Sequence, residues 1–267
     1  MKLLVFDLDG TLLERDGTLD VRTAELLKWL ESVGIRSTIA TVRSLKSAMN
    51  FVESLSITVP VILFNGARIF DPTSKNYLYS KLLPGHVVEK VVLQCRNFNV
   101  AIFFFIDEDV YAMNVSLHAT NYIFRDGLSY HPIDDLSQLH TARVTKLVFT
   151  GPSSELNRLE LLFKFDHSLE MNATRSEEDL LEVLPAGVGK AEAVKWLCTF
   201  LRIDLKEVVA FGNGENDSQM LRTAGLGLSF AFAPETVKKC AKVLLHNCGY
   251  LGLKEFVEKC VEKVVFS

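Results

Sequence analysis

Leu3-Leu4-Val5-Phe6-Asp7-Leu8-Asp9-Gly10-Thr11-Leu12 runs from a continuous apolar stretch straight into two carboxylates and a glycine. An unbroken apolar run of this length fits a strand buried on both faces of a parallel sheet. Two carboxylates just past such a strand are costly unless something compensates them, and a divalent cation is the usual compensation. Once strand geometry ends, one carboxylate can attack phosphorus while the other works as acid and base on the leaving group. Gly10 would let the backbone approach a phosphate with its N–H groups pointed at the oxygens.

Working outward, Val21–Val33 carries apolar residues at helical spacing, and Gly34 closes it as a C-terminal stop. Arg36–Thr41 reads as the next strand, Ser44–Leu55 as a helix, and Val61–Phe64 as another buried strand ending at Asn65-Gly66. The end of the chain repeats the alternation. Lys190–Leu201 is amphipathic, Val208–Phe211 is an apolar strand ending at Gly212, and Asp217–Ala224 is helical. Gly227–Phe230, a helix near Pro234–Ala241, Val243–Leu245 and a final helix from Lys254 follow. Strand and helix in alternation predict a Rossmann-like α/β core with a parallel sheet.

The middle differs. His86–Asn97 looks helical, while Val100–Ile106 and Val110–Val115 flank Asp107-Glu108-Asp109 as an antiparallel hairpin would. Thr145–Thr150 and Leu180–Leu184 read as strands around a helix at Ser154–Phe165. Paired strands predict an α+β module inserted into the core. Leu83-Pro84-Gly85 and Leu184–Gly189 carry the Pro and Gly expected of hinges, so the division predicted is core 1–83 and 184–267, insert 84–183.

Further polar groups fall at the C-terminal ends of the predicted strands, where open α/β sheets bind ligands. Thr41 and Arg43 in Ala40-Thr41-Val42-Arg43 supply a hydroxyl and a guanidinium able to bind a phosphoryl group. Asn65-Gly66-Ala67 follows the third strand. Gly187-Val188-Gly189-Lys190 opens a helix, and a fixed cation there would lower the cost of bringing two anions together. Gly212-Asn213-Gly214-Glu215-Asn216-Asp217 gathers amides and carboxylates after a strand.

The string FDLDGTL closely resembles the first motif of the haloacid dehalogenase superfamily, and the whole chain is similar to its Cof-type sugar phosphatase branch, core, inserted cap, core. The resemblance implies a Mg²⁺-dependent phosphatase in which Asp7 is the nucleophile and Asp9 the acid and base. It implies that Thr41, Lys190 and backbone N–H groups along Leu8, Gly10 and Val42, with Arg43, hold the phosphoryl oxygens. It places Asn65 and Asn216 beside the substrate, and gives the metal to Asp7, the Asp9 carbonyl, Asn213 and Asp217. Two positions depart from the family pattern. Val42 replaces a Gly, so a positive φ there would be strained. Asn213 stands where the family usually has Asp, which removes one negative charge from the metal set. Phe230-Ala231-Phe232-Ala233 also departs from the family's AMGNA-like loop, which helps frame the site. The inserted cap is expected to exclude water and choose the organic group, with Asp107, Asp109, Tyr111 and His118 as residues able to reach it.

The 267 residues, 48% hydrophobic and 23% charged, describe a folded globular chain. A net charge of -4 gives no electrostatic reason to expect nucleic acid as a partner. The five cysteines form no CxxC pair and no zinc-like spacing, as expected of free thiols in a reducing compartment. The apolar run before Asp7 is too short for a signal peptide, and no apolar run is long enough to span a bilayer. The expectation is a cytoplasmic enzyme without a membrane partner, a monomer or small homo-oligomer, acting on a small phosphorylated metabolite. Two other readings use the same residues: a phosphotransferase or mutase that passes the group to a second alcohol, and a non-catalytic sensor of a phosphorylated metabolite.

Overall fold

A computed structural model describes residues 1–125, 127–166 and 168–261. The first elements are β1 (Leu3–Phe6), α1 (Val21–Ser32), β2 (Arg36–Ile39), α2 (Leu45–Ser54), β3 (Val61–Leu63), β4 (Arg68–Asp71) and β5 (Asn76–Ser80). The middle holds α3 (Gly85–Cys95), β6 (Ala101–Ile106), β7 (Asp109–Met113), α4 (Leu117–Arg125), β8 (His131–Pro132), β9 (Val144–Thr150), α5 (Ser153–Phe165), β10 (Met171–Glu177) and β11 (Leu180–Pro185). The last are α6 (Lys190–Leu201), β12 (Val208–Phe211), α7 (Ser218–Thr223), β13 (Leu226–Phe230), α8 (Glu235–Lys238), β14 (Val243–Leu245) and α9 (Gly249–Phe256). They group into two compact units, residues 1–79 with 189–261, and residues 80–188.

The first unit is built on a parallel sheet ordered β14-β13-β12-β1-β2. β3 continues it through a parallel bridge between Ala40 and Ile62, then turns back into the antiparallel β3-β4-β5 sheet. Period-2 alternation sends Leu3 and Val5 to one face, where they pack with Val194 and Leu197 of α6 and Met220 of α7. Phe6 stacks on Phe211 (ring centroids 4.4 Å apart), which meets Phe256 of α9 edge-on at 5.0 Å. Each fully buried side chain of β1 is worth about 1.5–3 kcal/mol, so the strand that delivers Asp7 is firmly anchored. Asp20 caps α1 by accepting from the Arg22 N–H, Ser44 caps α2, and Gly34 leaves α1 at φ +86°.

The second unit is a six-stranded sheet ordered β10-β11-β9-β6-β7-β8, antiparallel except for β7 with β8. One face carries Ile102, Phe104, Leu147, Phe149, Leu181 and Val183 against α3 and α5. On the other, Phe103 meets Tyr122 of α4 edge-on.

Several sequence expectations need correction. The hairpin β4–β5 and strand β10 fall in stretches to which the sequence reading assigned no element. Met171–Glu177 is polar and carries no apolar run, so only its partner makes it a strand, whereas Asn76–Ser80 carries a short Tyr77-Leu78-Tyr79 signal that was passed over. α4, in a stretch with no predicted element, is another addition. The last helix starts at Gly249, not Lys254. Val42 is absent from the residues with positive φ, so the strain expected of it does not arise.

Candidate active site

The chemistry-bearing residues of the first unit gather beyond the C-terminal ends of β1, β2, β3 and β12. Asp7 leaves β1 in extended conformation and donates its N–H to Phe211 O (2.9 Å). Gly10 then turns the chain at φ +66°, a conformation that favours glycine, and it lies so close to the Asn213 amide that a Cβ there would come within 2.8 Å of it.

Lys190, at the first turn of α6, is 1% exposed. Its Nζ donates to Asp7 Oδ1 at 2.6 Å and to Asp217 Oδ1 at 2.7 Å. Asp217 is fully buried, and its other oxygen accepts the N–H groups of Asn213 and Gly214, both at 2.9 Å. The trio therefore holds two carboxylates against one ammonium, an excess negative charge out of water. Burial, reinforced by the charge of Asp217 and resisted by Lys190, pushes the Asp7 carboxyl up to about 7. Burial alone would lower the Lys190 ammonium, but Asp217 and Asp7 outweigh it and hold it above the ordinary lysine value.

Lys190 is placed by a close approach that the sequence reading missed. Gly66 takes φ +100°, and a Cβ on it would lie 2.4 Å from Gly189 O, at the N-terminal end of α6. The turn after β3 can seat against that helix end only because residue 66 has no side chain. The signal was present in Asn65-Gly66, read as the end of the third strand with Asn65 beside the substrate and no role for Gly66. Asn65 itself is left-handed at φ +55° and accepts from Asn216 Nδ2 at 3.4 Å, tying the turn to the loop after β12.

Thr41 is buried after β2, and its hydroxyl accepts the Arg43 N–H at 3.1 Å. Arg43, expected to face a phosphoryl group, turns its guanidinium to Asp9 instead. Leu8 packs its side chain in the core, leaving only its backbone for the site. Phe232 stacks on Phe230 and carries Arg15 over its ring at 4.2 Å, filling the departed loop with aromatic packing. In the second unit Asp107 pairs with Arg143, and Tyr111 stands beside His131. The His118 side chain lies outside the described residues.

Three oxygens converge on the end of the Asn213 side chain. A nitrogen turned toward them lies 3.1 Å from Asp9 O, 3.1 Å from Asp7 Oδ2 and 3.0 Å from Thr11 Oγ1, three acceptors within reach of its two hydrogens. An oxygen turned the same way gains only the Thr11 hydroxyl and faces the other two as fellow acceptors. Thr11, unremarked in the sequence, thus belongs to the site. Among the described residues no group of three or more His, Cys, Asp or Glu side chains could hold a metal. The donors that suit Mg²⁺ here are a mixed oxygen set, the Asp7 carboxylate, the Asp9 carbonyl and the Asn213 amide oxygen turned inward, chemically right for a hard cation though low in charge. Asp217, also expected as a ligand, has both oxygens engaged by Lys190 and the loop backbone.

The sequence profile of the haloacid dehalogenase-like hydrolases matches residues 4–248. The chain belongs to this family. Within this hydrolase family it falls in the Cof-type branch, and it is a phosphatase. The HMP-PP phosphatase of Escherichia fergusonii is 30% identical over 226 residues, spanning 85% of this chain and 82% of that protein. A haloacid dehalogenase-like hydrolase from Bacteroides thetaiotaomicron superposes with a TM-score of 0.88 at 27% identity, covering 97% of this chain and 98% of that one. A Thermotoga maritima protein does so at 0.86 and 25%, over 97% of both chains. Among the described residues no helix of this hydrolase is long and apolar enough to cross a membrane.

Proposed function

We propose that this phosphatase hydrolyses small phosphate monoesters, sugar phosphates or related metabolites, through a covalent phospho-aspartate on Asp7. The observation that carries the reading is the buried Lys190 ammonium shared between Asp7 and Asp217 beyond β1, with a second carboxylate, Asp9, two residues on. Lys190 pins one oxygen of Asp7 and offsets the charge of an incoming phosphoryl group. Asp7 attacks phosphorus as the bond to the leaving oxygen breaks, and Asp9 gives that oxygen its proton. Asp9 then takes a proton from a water that attacks the phospho-enzyme, releasing phosphate and restoring Asp7. The Thr41 hydroxyl and the N–H groups around Gly10 are assigned to the phosphoryl oxygens. Asp7, the Asp9 carbonyl and Asn213 would hold Mg²⁺, which when bound supplies a fixed positive charge beside the transferring group. Residues 84–183 are assigned the choice among organic groups, since every matched motif lies outside them.

The test is a panel of phosphorylated sugars and related metabolites, including HMP-PP, assayed for released phosphate with Mg²⁺. Turnover by the wild type and its loss in Asp7→Asn, with acid-quenched intact mass showing one added phosphoryl group on the wild type alone, is the expected result. A sugar acceptor that captures the phosphoryl group in place of water would make the enzyme a phosphotransferase. Tight binding without turnover would make it a sensor.

A further inference from the structure

The Asn213 amide occupies the point where Asp7 Oδ2, Asp9 O and Thr11 Oγ1 meet. We propose that its NH₂ group does there what a cation would do, so that the site stands assembled by hydrogen bonds alone and a cation enters only by turning the amide over. This rests on the proposed assignment of these oxygens to the metal.

Three points support it. Asp7 Oδ1 is taken by Lys190, and Asp7 Oδ2 is the oxygen the amide meets, so the two donors between them fix the whole carboxylate. The amide hydrogens carry partial positive charge toward a site whose buried trio has one negative charge in excess, and an inward oxygen would add to that excess. The backbone of residue 213 is held by its N–H to Asp217 Oδ2, and Gly10 packs against the amide. The loop therefore stays in place while a half-turn of the side chain exchanges nitrogen for oxygen. Such a turn gives up the hydrogen bonds to Asp7 Oδ2 and Asp9 O while keeping one with the Thr11 hydroxyl, and that loss is subtracted from the affinity of any cation that needs the oxygen inward. An Asp at this position has no proton to give at neutral pH and would set a second carboxylate against Asp7 Oδ2, so that variant depends on the cation.

The experiment compares thermal unfolding midpoints of the wild type, Asn213→Asp and Asn213→Ala, each in EDTA and in millimolar Mg²⁺. Intact mass confirms that residue 213 is still Asn, because Asn-Gly pairs deamidate. In EDTA both variants are expected to unfold below the wild type, Asn213→Asp lowest. Mg²⁺ is expected to raise Asn213→Asp by about 5–10 °C and the wild type by about 2 °C or less. Asn213→Asp as stable as the wild type in EDTA, or a Mg²⁺ shift as large in the wild type, overturns the proposal. If Asn213→Asp does not fold in EDTA, Asn213→Ala decides: a midpoint equal to that of the wild type overturns the proposal, and a lower one supports it. Midpoints need no substrate, so this pattern with no turnover on any substrate would reject the phosphatase mechanism and leave the role of the amide standing.

Discussion

Arg43 grips Asp9 through two parallel hydrogen bonds, Nε to Oδ2 at 2.9 Å and Nη2 to Oδ1 at 2.6 Å, across 34 residues of sequence. The planar fork of an arginine fixes a carboxylate in orientation as well as position. Arg43 is itself steadied over the Phe51 ring of α2 at 5.1 Å.

If Asp9 is the acid, Arg43 determines where its proton can be delivered. Arg43→Ala is expected to lower kcat about tenfold or more on an alkyl phosphate. It should cost markedly less on p-nitrophenyl phosphate, whose leaving group needs little protonation. Equal losses on the two esters would detach Arg43 from the acid.

The raised Asp7 carboxyl predicts a pH effect on stability. Its folded value, about 7, lies above the ordinary 3.8, so between them the folded protein binds more protons than the unfolded chain. Stability from this group is then present at low pH and lost as pH rises through 7. In EDTA, Asp7→Asn should be more stable than the wild type at pH 7.5, by as much as about 4 kcal/mol, and lose most of that margin at pH 5. Denaturant titrations at the two pH values measure it, and a margin that grows toward pH 5 contradicts the assigned direction.

Lys190 is shared between two buried carboxylates, so removing it leaves both facing each other. Lys190→Met is expected to destabilise the protein by about 3–5 kcal/mol at pH 7.5 and to abolish turnover. The loss should shrink at pH 5, as Asp7 takes up a proton. Urea midpoints at both pH values check this, and equal losses would mean that packing, not charge, is what the lysine supplies.

Gly66→Ala should act on the site from a distance. The added Cβ meets Gly189 O at 2.4 Å and must also adopt φ +100°, so the turn or the start of α6 has to shift. A stability loss of about 1–3 kcal/mol is expected, with a fall in kcat that exceeds it when expressed as free energy, because Lys190 moves with the helix. A kcat matching that of the wild type would show that the close approach serves stability alone.

The sequence by itself determined much of the parallel core. Apolar runs such as Leu3–Phe6 and Val208–Phe211 state a local demand for burial on both faces, and Gly34 states where a helix must stop; neither needs a partner to be legible. The same runs place Asp7, Thr41, Asn65 and Asn213 at strand ends, so the candidate site was largely readable as a set of residues. β10 was not, because a polar strand has no apolar signal of its own and becomes a strand only through the backbone hydrogen bonds of its neighbour; in β5 the Tyr77-Leu78-Tyr79 run was a signal, but a short one. Who faces whom was likewise beyond the sequence. Lys190 meets Asp7 across 183 residues, Arg43 chooses Asp9, and Asn213 finds Asp7 Oδ2 and Thr11. Charge and hydrogen-bond energies depend on distances of a few ångströms, and only the order of strands in the sheet and the close approach at Gly66 set those distances.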